Sequence, residues 1–383
     1  MRGGAAALGF VEPQYAGRGR SLGDVLPAVA TALGVPVGFH DTTLDLPPAP
    51  AYVVMLVDGL GYDLLAEHRE QAPYLHSLLG SPAAPGPATC GVPSTTATSL
   101  TSLGTALAPG EHGLVGFTSR VPETGALLNA LFWDQPVDPL EWQPHPTAFH
   151  RLERAGVHTS VVSKREFATS GLTRCGQRGA AYVGADDIGE RVAGAVAGAA
   201  RRPSVTYVYD GDLDWTGHRA GVDSQRWRAQ LRDIDEDAQE LRDALPPDVR
   251  LLVVADHGMV DCTAESKVDV DALPGLRDGV TLLGGEARFR HVYCRAGAAA
   301  DVAATWRSVL GERALVLERE EAIARGWFGP VDARVSGRLG DVVAAAHDDW
   351  ALTSSADFPY EMTMVGLHGS LTAREMHIPV LVG

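Results

Sequence analysis

The sequence predicts an α/β fold, a three-layer sandwich whose mostly parallel central sheet carries helices on both faces and a small inserted α+β cap. Three observations carry this expectation. Short runs of β-branched and other apolar residues recur along the chain, beginning with Tyr52-Val53-Val54-Met55-Leu56-Val57, too uniformly apolar for a strand with one wet face. Helical stretches separate these runs, the alternation that builds a parallel sheet. The stretch 262–339 breaks the alternation, which marks it as an insertion.

Taken in order, the first 45 residues are punctuated by Gly and Pro, with one helix expected around Leu22 to Leu33. Tyr52 to Val57 reads as a buried parallel strand, and similar runs follow at Val157 to Val162, Val205 to Tyr209, Val249 to Ala255 and Ile378 to Val382. An Ala/Gly-rich helix is expected near Arg191 to Ala200. The clearest helix lies between Asp223 and Leu245. There Trp227, Leu231, Ile234, Ala238, Leu241 and Leu245 recur at steps of four and three, forming one apolar face. Pro246-Pro247 ends it. Within 262–339, Ala287 to Cys294 reads as strand and Ala298 to Leu310 as helix, followed by Gly-Trp-Phe-Gly-Pro at 326–330. The expected organisation is therefore a core of 1–261 and 340–383 with a cap of 262–339.

Composition narrows the function. A chain of 383 residues that is 45% apolar has enough material for a large core. Its net charge of −16 argues against a duplex nucleic acid partner, which Lys and Arg density would serve. No apolar run approaches the roughly 20 residues of a bilayer span, so no membrane partner is expected. The opening MRGGAAALGFVEP lacks an apolar signal region. Cys90, Cys175, Cys262 and Cys294 are scattered, which fits a reducing compartment and a cytoplasmic location.

Four segments place polar residues after expected strands, the edge where open α/β sheets bind ligands. Asp58-Gly59 follows the first strand, and Asp256-His257-Gly258 follows Leu251 to Ala255. Asp214-Trp215-Thr216-Gly217-His218 follows Val205 to Tyr209; on a helix its spacing of four sets carboxylate and imidazole on one face, although Asp210 and Asp212 compete for the role. His368-Gly369 precedes the last strand. Each has an ordinary reading as a turn, a solvated loop or a satisfied core histidine. Together they offer three Asp and three His without Cys, a ligand set suited to Zn²⁺ or Mn²⁺ and more than one tetrahedral ion needs, so two divalent metal ions are expected. The segment Pro93-Ser94-Thr95-Thr96 opens a hydroxyl-rich helix, where a helix N-terminus favours an alkoxide and a phosphate.

In this order, VVMLVDG, PSTTATSLTSLGTALAPGEHGLVGF, DWTGH, VVADHGM and LHG resemble the alkaline phosphatase superfamily, in its nucleotide pyrophosphatase/phosphodiesterase branch, from about Tyr52 to Gly383. The resemblance implies an alkaline-phosphatase-like sandwich with Thr96 as nucleophile, 16 residues before His112, and Thr95 as the fallback. It implies that Asp58, Thr96, Asp256 and His257 hold one ion and Asp214, His218 and His368 the other. The branch often has a phosphate-binding Asn where this chain has Phe117; Asn129, Lys164 and Arg165 are the candidates to replace it.

The wording of the PSTTATSLTSLGT and PGEHGLVGF segments also resembles the actinobacterial cyclic di-AMP phosphodiesterases. That implies a metal-dependent phosphodiesterase working through a phosphothreonine intermediate, taking cyclic di-AMP through pApA to AMP, with manganese as the ion. The expected partner is a small nucleotide, handled by a monomer or small homo-oligomer. Trp327 and Phe328 are aromatic candidates for base contacts in the cap, with core packing as their alternative. Other readings on the same scaffold are a nucleotide pyrophosphatase, a phosphonate hydrolase or a phosphomonoesterase; a nucleotide-binding pseudoenzyme is the reading outside catalysis.

Overall fold

Strand β1 (Ala51–Val57) is buried at all seven positions. Successive side chains of a strand point to opposite faces, so both faces of the sheet are covered here. This computed structural model describes residues 9–15, 19–81 and 86–383. The opening residues 1–8, read above for a signal sequence, lie outside the described residues. Around β1 the sheet contains β2 (His158–Ser163), β3 (Ala181–Gly184), β4 (Ser204–Asp210), β5 (Val249–Val254) and β10 (Val380–Val382), in the order β10–β5–β1–β4–β2–β3. The five strands from β5 to β3 run parallel.

β10 is antiparallel to β5, unlike the other four expected runs. His368 stands at the strand-tip edge, and the chain enters β10 only a dozen residues later, so the strand must run away from that edge. Pro379, without an N–H to donate, separates β10 from His377–Ile378, which pairs instead with Ala88–Thr89. β3 has no counterpart among the expected strands; its positions alternate between exposed and half-buried, so it lacks the apolar run that marks the inner strands.

The helices follow their patterns closely. Leu22–Asp24 is a short 3₁₀ turn leading into α1 (Val25–Ala32). α2 (Thr96–Thr105) is buried throughout. α3 (Ile188–Ala199) is capped by the side chain of Asp187, and α5 (Gln225–Ala244) by that of Ser224. Between them α4 (Asp212–Ala220) carries the DWTGH segment as helix. On α5, Trp227, Leu231, Ile234, Ala238 and Leu241 are the buried stripe. No helix among the described residues is long and apolar enough to cross a membrane.

A second, antiparallel sheet combines β6 (Val280–Glu286), β7 (Phe289–Cys294), β8 (Ala314–Glu318) and β9 (Val342–Ala346), ordered β6–β7–β9–β8. Helix α6 (Ala299–Leu310) packs on it around Trp306, whose indole N–H donates to the Leu276 carbonyl. The expected cap boundary at 339/340 falls inside this sheet. Its inner strands are β7 and β9, and Lys267–Asp269 pairs further on with Ala351–Thr353. A buried antiparallel sheet needs every inner strand to close its ladder, and residues beyond 340 supply one.

Candidate active site

Asp58, Asp214, Asp256, His218, His257 and His368 converge at the strand-tip edge of the main sheet. Asp58 directly follows β1, and Asp256 follows β5, the strand paired with β1. Gly59 takes φ +77°, a conformation glycine favours, and a Cβ there would lie 3.1 Å from Asp214 Cβ. Glycine after Asp58 thus lets α4 bring Asp214 close. On α4 the spacing of four holds His218 Nε2 at 3.3 Å from Asp214 Oδ2. The competing carboxylates are occupied elsewhere: Asp210 binds the buried guanidinium of Arg191, and Asp212 pairs with Lys164 at 2.8 Å.

The hydroxyl segment and the late histidine are fastened together through Ser94. Its N–H donates to Gly369 O, its hydroxyl to Ser370 O at 2.6 Å, and its carbonyl accepts from His368 Nδ1 at 2.9 Å. Thr95 is the N-cap of α2, yet its side chain makes no capping bond, so the first turn's N–H groups are left for a ligand. Thr96 Oγ1 stands 3.2 Å from His257 Nε2 and 3.3 Å from Asp58 Oδ2. His112 accepts from Leu114 N–H through Nδ1 and meets Ser102 through Nε2. Burial pushes it down to about 3, so His112 braces the helix as a neutral ring.

Three further observations fit a cation site. The Nδ1 atoms of His218, His257 and His368 each donate to a backbone carbonyl, at 2.8, 2.9 and 2.9 Å, which leaves Nε2 as the atom that a neutral ring would offer to a cation. Asp214 Oδ1 and Asp256 Oδ2 are buried without a hydrogen-bond partner. Burial, with Asp256 and Asp214 nearby, pushes Asp58 well above the usual carboxylate range, and burial likewise raises Asp256. Burial opposes ionisation of Asp214 too, but the facing histidines, His218 foremost, outweigh it and hold that carboxyl low. Buried anions crowded in this way call for positive charge.

Two groups of donors have their ligand atoms within 4.8 Å of one another: Asp58, Asp256 and His257; and Asp214, His257 and His368. His218 stands beside the second group on the other oxygen of Asp214, rather than within it. The His257 and His368 rings stack at 3.7 Å.

Beside this cluster lies a cavity of about 560 Å³ lined by Thr95, Thr96, Phe117, Asn129, Trp215 and Tyr360 among others. That is the size class of small-molecule sites. Phe117 and Asn129, named from the sequence as candidates for substrate contact, both line the cavity. Asn129 commits its Oδ1 to the N–H groups of Leu131 and Phe132. Lys164 and Arg165 do not line the cavity; Arg165 pairs with Asp186 and Glu190. Trp327 and Phe328 are buried in the main core against Phe289, which answers to their packing alternative.

Three side chains of the site escaped the sequence. Tyr209 donates to Asp58 Oδ2 at 2.6 Å. Arg288, fully buried, is clasped by Glu375, which also accepts from Ser370 N–H and so steadies the His368 loop. Glu286, at the end of β6, accepts from Phe117 N–H at 3.2 Å, and burial pushes it up to about 8. Each sits far along the chain from the residue it serves.

Residues 52–371 match the family described as type I phosphodiesterase / nucleotide pyrophosphatase. The chain belongs to this family. Its candidate metal-binding groups fit the two-metal site of the alkaline phosphatase superfamily. Among solved structures, an inactive threonine-to-alanine variant of murine ectonucleotide pyrophosphatase/phosphodiesterase 5 in complex with AMP superposes with a TM-score of 0.70 at 20% identity, over 87% of each chain. The human counterpart gives 0.67 at 20% identity, over 86% of this chain and 87% of that one. Phosphonoacetate hydrolase from Sinorhizobium meliloti 1021 with phosphonoformate gives 0.66 at 20% identity, over 91% and 92%. At such identities the likeness speaks for the fold alone. No curated protein matches the sequence.

Proposed function

We propose that this member of the family is a two-metal phosphodiesterase with Thr96 as its nucleophile, acting in the cytoplasm on an adenine dinucleotide, with cyclic di-AMP as the best candidate. One observation carries the reading most: the Thr96 hydroxyl stands at the open N-terminus of its helix, within 3.5 Å of donors from both β1 and β5. Asp58, Thr96, Asp256 and His257 would hold one ion and Asp214, His218 and His368 the second. When bound, the ions supply Lewis-acid stabilisation of the phosphoryl oxygens.

The chain's own part begins with the helix N-terminus, whose free N–H groups orient the non-bridging phosphate oxygens. Thr96 Oγ1 attacks phosphorus, forming a Thr96–O–P bond as one P–O ester bond breaks and its alkoxide leaves with a proton. Asp58 is the nearest carboxylate to the Thr96 proton. Water then cleaves the phosphothreonine ester, restoring the hydroxyl and releasing a phosphomonoester. From a cyclic dinucleotide this sequence yields pApA, and from pApA it yields AMP.

Aromatic walls support a nucleotide. Phe117 and Tyr360 meet edge to face, while Trp215 and Phe132 on the rim are 57% and 79% exposed, a cost that base stacking would offset. The relative captured with AMP is in keeping with this. A phosphonate bearing a second anionic group is less well served, because Arg219 is the single Lys or Arg among the described residues lining the cavity. The test is a panel of cyclic di-AMP, pApA, bis-p-nitrophenyl phosphate and a monoester with Mn²⁺, Zn²⁺ and Mg²⁺. Metal-dependent turnover of the diesters is expected, with the dinucleotides preferred. Inactivity on every diester would overturn the reading.

A further inference from the structure

Helix α4 brings two pairs of side chains to the site. Asp214 and His218 belong to the donor cluster, and Trp215 and Arg219 follow one residue on, at the same spacing of four. Both Trp215 and Arg219 line the cavity, and the Arg219 guanidinium carbon lies 3.6 Å from the centroid of the indole ring. Such stacking engages the face of the guanidinium and leaves its N–H groups, which lie in the plane, for other partners. No carboxylate among the described residues takes them. Of the acidic side chains lining the cavity, Asp214 faces His218 and His368, Glu361 is bound to Arg290, and Glu286 accepts from Phe117 N–H. Arg219 is thus an exposed cation without an acidic partner, held over an aromatic ring at the mouth of the cavity, in a chain of net charge −16.

We propose that Arg219 binds a second phosphate group of the substrate, the one carried by the departing nucleotide, and so makes the site specific for dinucleotides with two phosphates; this rests on the reading of the site as a phosphodiesterase centre. When Thr96 takes the phosphorus of a 3′–5′ linkage, the 3′ oxygen leaves. In pApA the nucleotide that leaves carries a 5′-phosphate of about −1.5 to −2 charge near neutral pH. In a cyclic dinucleotide it carries the second linkage instead. Either group lies one nucleoside away from the reacting phosphorus, so it calls for a cation outside the donor cluster. Arg219 is the single Lys or Arg among the described lining residues, and its planar fork matches a pair of phosphate oxygens. The Trp215 ring beneath it, 57% exposed, is placed to stack the base of the same nucleotide.

The test compares kcat/KM for pApA with that for ApA, the same dinucleotide without its 5′-phosphate, using the Mn²⁺-loaded full chain. Wild type should prefer pApA, and the pApA-to-ApA ratio should fall roughly tenfold or more in Arg219→Gln. Arg219→Lys keeps the charge without the planar fork and should retain more of the ratio than Arg219→Gln. A disturbed α4 or a lost base contact would slow both substrates alike; a ratio unchanged in Arg219→Gln therefore overturns the proposal. So would a 5′-phosphate that seats at the metals, because position 219 would then leave the ratio unmoved. Calorimetric binding of pApA and ApA to Thr96→Ala, with and without Arg219→Gln, reads the same preference without turnover. If wild type cleaves neither dinucleotide, the phosphodiesterase reading fails and the affinity ratio decides the role of Arg219; a ratio unmoved by Arg219→Gln, or binding of neither dinucleotide, overturns it.

Discussion

Tyr209→Phe removes a single hydroxyl and tests how the donor cluster is held. The Tyr209 O–H donates to Asp58 Oδ2 at 2.6 Å, and its ring packs edge-on to Phe167, a contact that phenylalanine keeps. A hydrogen bond to a charged partner contributes about 1.5–3 kcal/mol. Through about 1.4 kcal/mol per decade, that corresponds to roughly one to two orders of magnitude in ion affinity. Outer-sphere partners of metal ligands elsewhere fall in the same range, about 10–100-fold. The variant should therefore need roughly 10–100 times more free Mn²⁺ for half-maximal cleavage of bis-p-nitrophenyl phosphate. The bond to Tyr209 lowers the affinity of Asp58 for a proton. Its loss lets protons compete better with the ion, so the acid limb of the pH–rate profile should move to higher pH. A half-saturating Mn²⁺ concentration within twofold of wild type, with an unmoved acid limb, would refute this account of Asp58.

Other consequences are as open to measurement. In chelator, Asp58→Asn should be more stable than wild type at pH 7.5 and alike near pH 4: the raised folded-state value means stability present at low pH is lost as pH rises through it. Equal melting profiles at both pH values would contradict that. Saturating Mn²⁺ at about 1,000 times its Kd should add roughly 4 kcal/mol, or about 5 °C in Tm for a chain of this length, and no shift would argue against a folded-state ion site. Glu375→Ala strands the fully buried Arg288 and should cost about 3–5 kcal/mol in thermal or urea unfolding; a loss under about 1 kcal/mol would show that the pair does not brace the His368 loop. Trp215→Ala should raise KM for a dinucleotide far more than for bis-p-nitrophenyl phosphate, and parallel changes would remove it from base binding.

The core strands were legible because a parallel sheet covered on both faces leaves an uninterrupted apolar run, as in Tyr52 to Val57. Asp58 and Asp256-His257 were legible because each follows such a run and is trailed by glycine, as His368 is too; the structure shows the cause at Gly59 and Gly369, where another side chain comes too close for a Cβ. The direction of β10 was hidden in the run itself, since an antiparallel edge strand can be just as apolar. The extent of the second sheet was hidden for a related reason: Val342–Ala346 carries no mark of which sheet it joins. Tyr209, Arg288 and Glu286 could not be read because their partners lie 151, 87 and 169 residues away in sequence, and only the fold brings them together. The same distance effect removed Lys164, which the fold pairs with Asp212.

The central claim is that Thr96 carries the phosphoryl group. Acid quenching of Mn²⁺-loaded protein during turnover of a diester, followed by peptide mass spectrometry, tests it directly. The account predicts a phosphoryl ester on the peptide containing Thr96, absent from Thr96→Ala, which should lose metal-dependent turnover by several orders of magnitude. A Thr96→Ala variant that keeps full metal-dependent turnover, with no adduct on either protein, would contradict it.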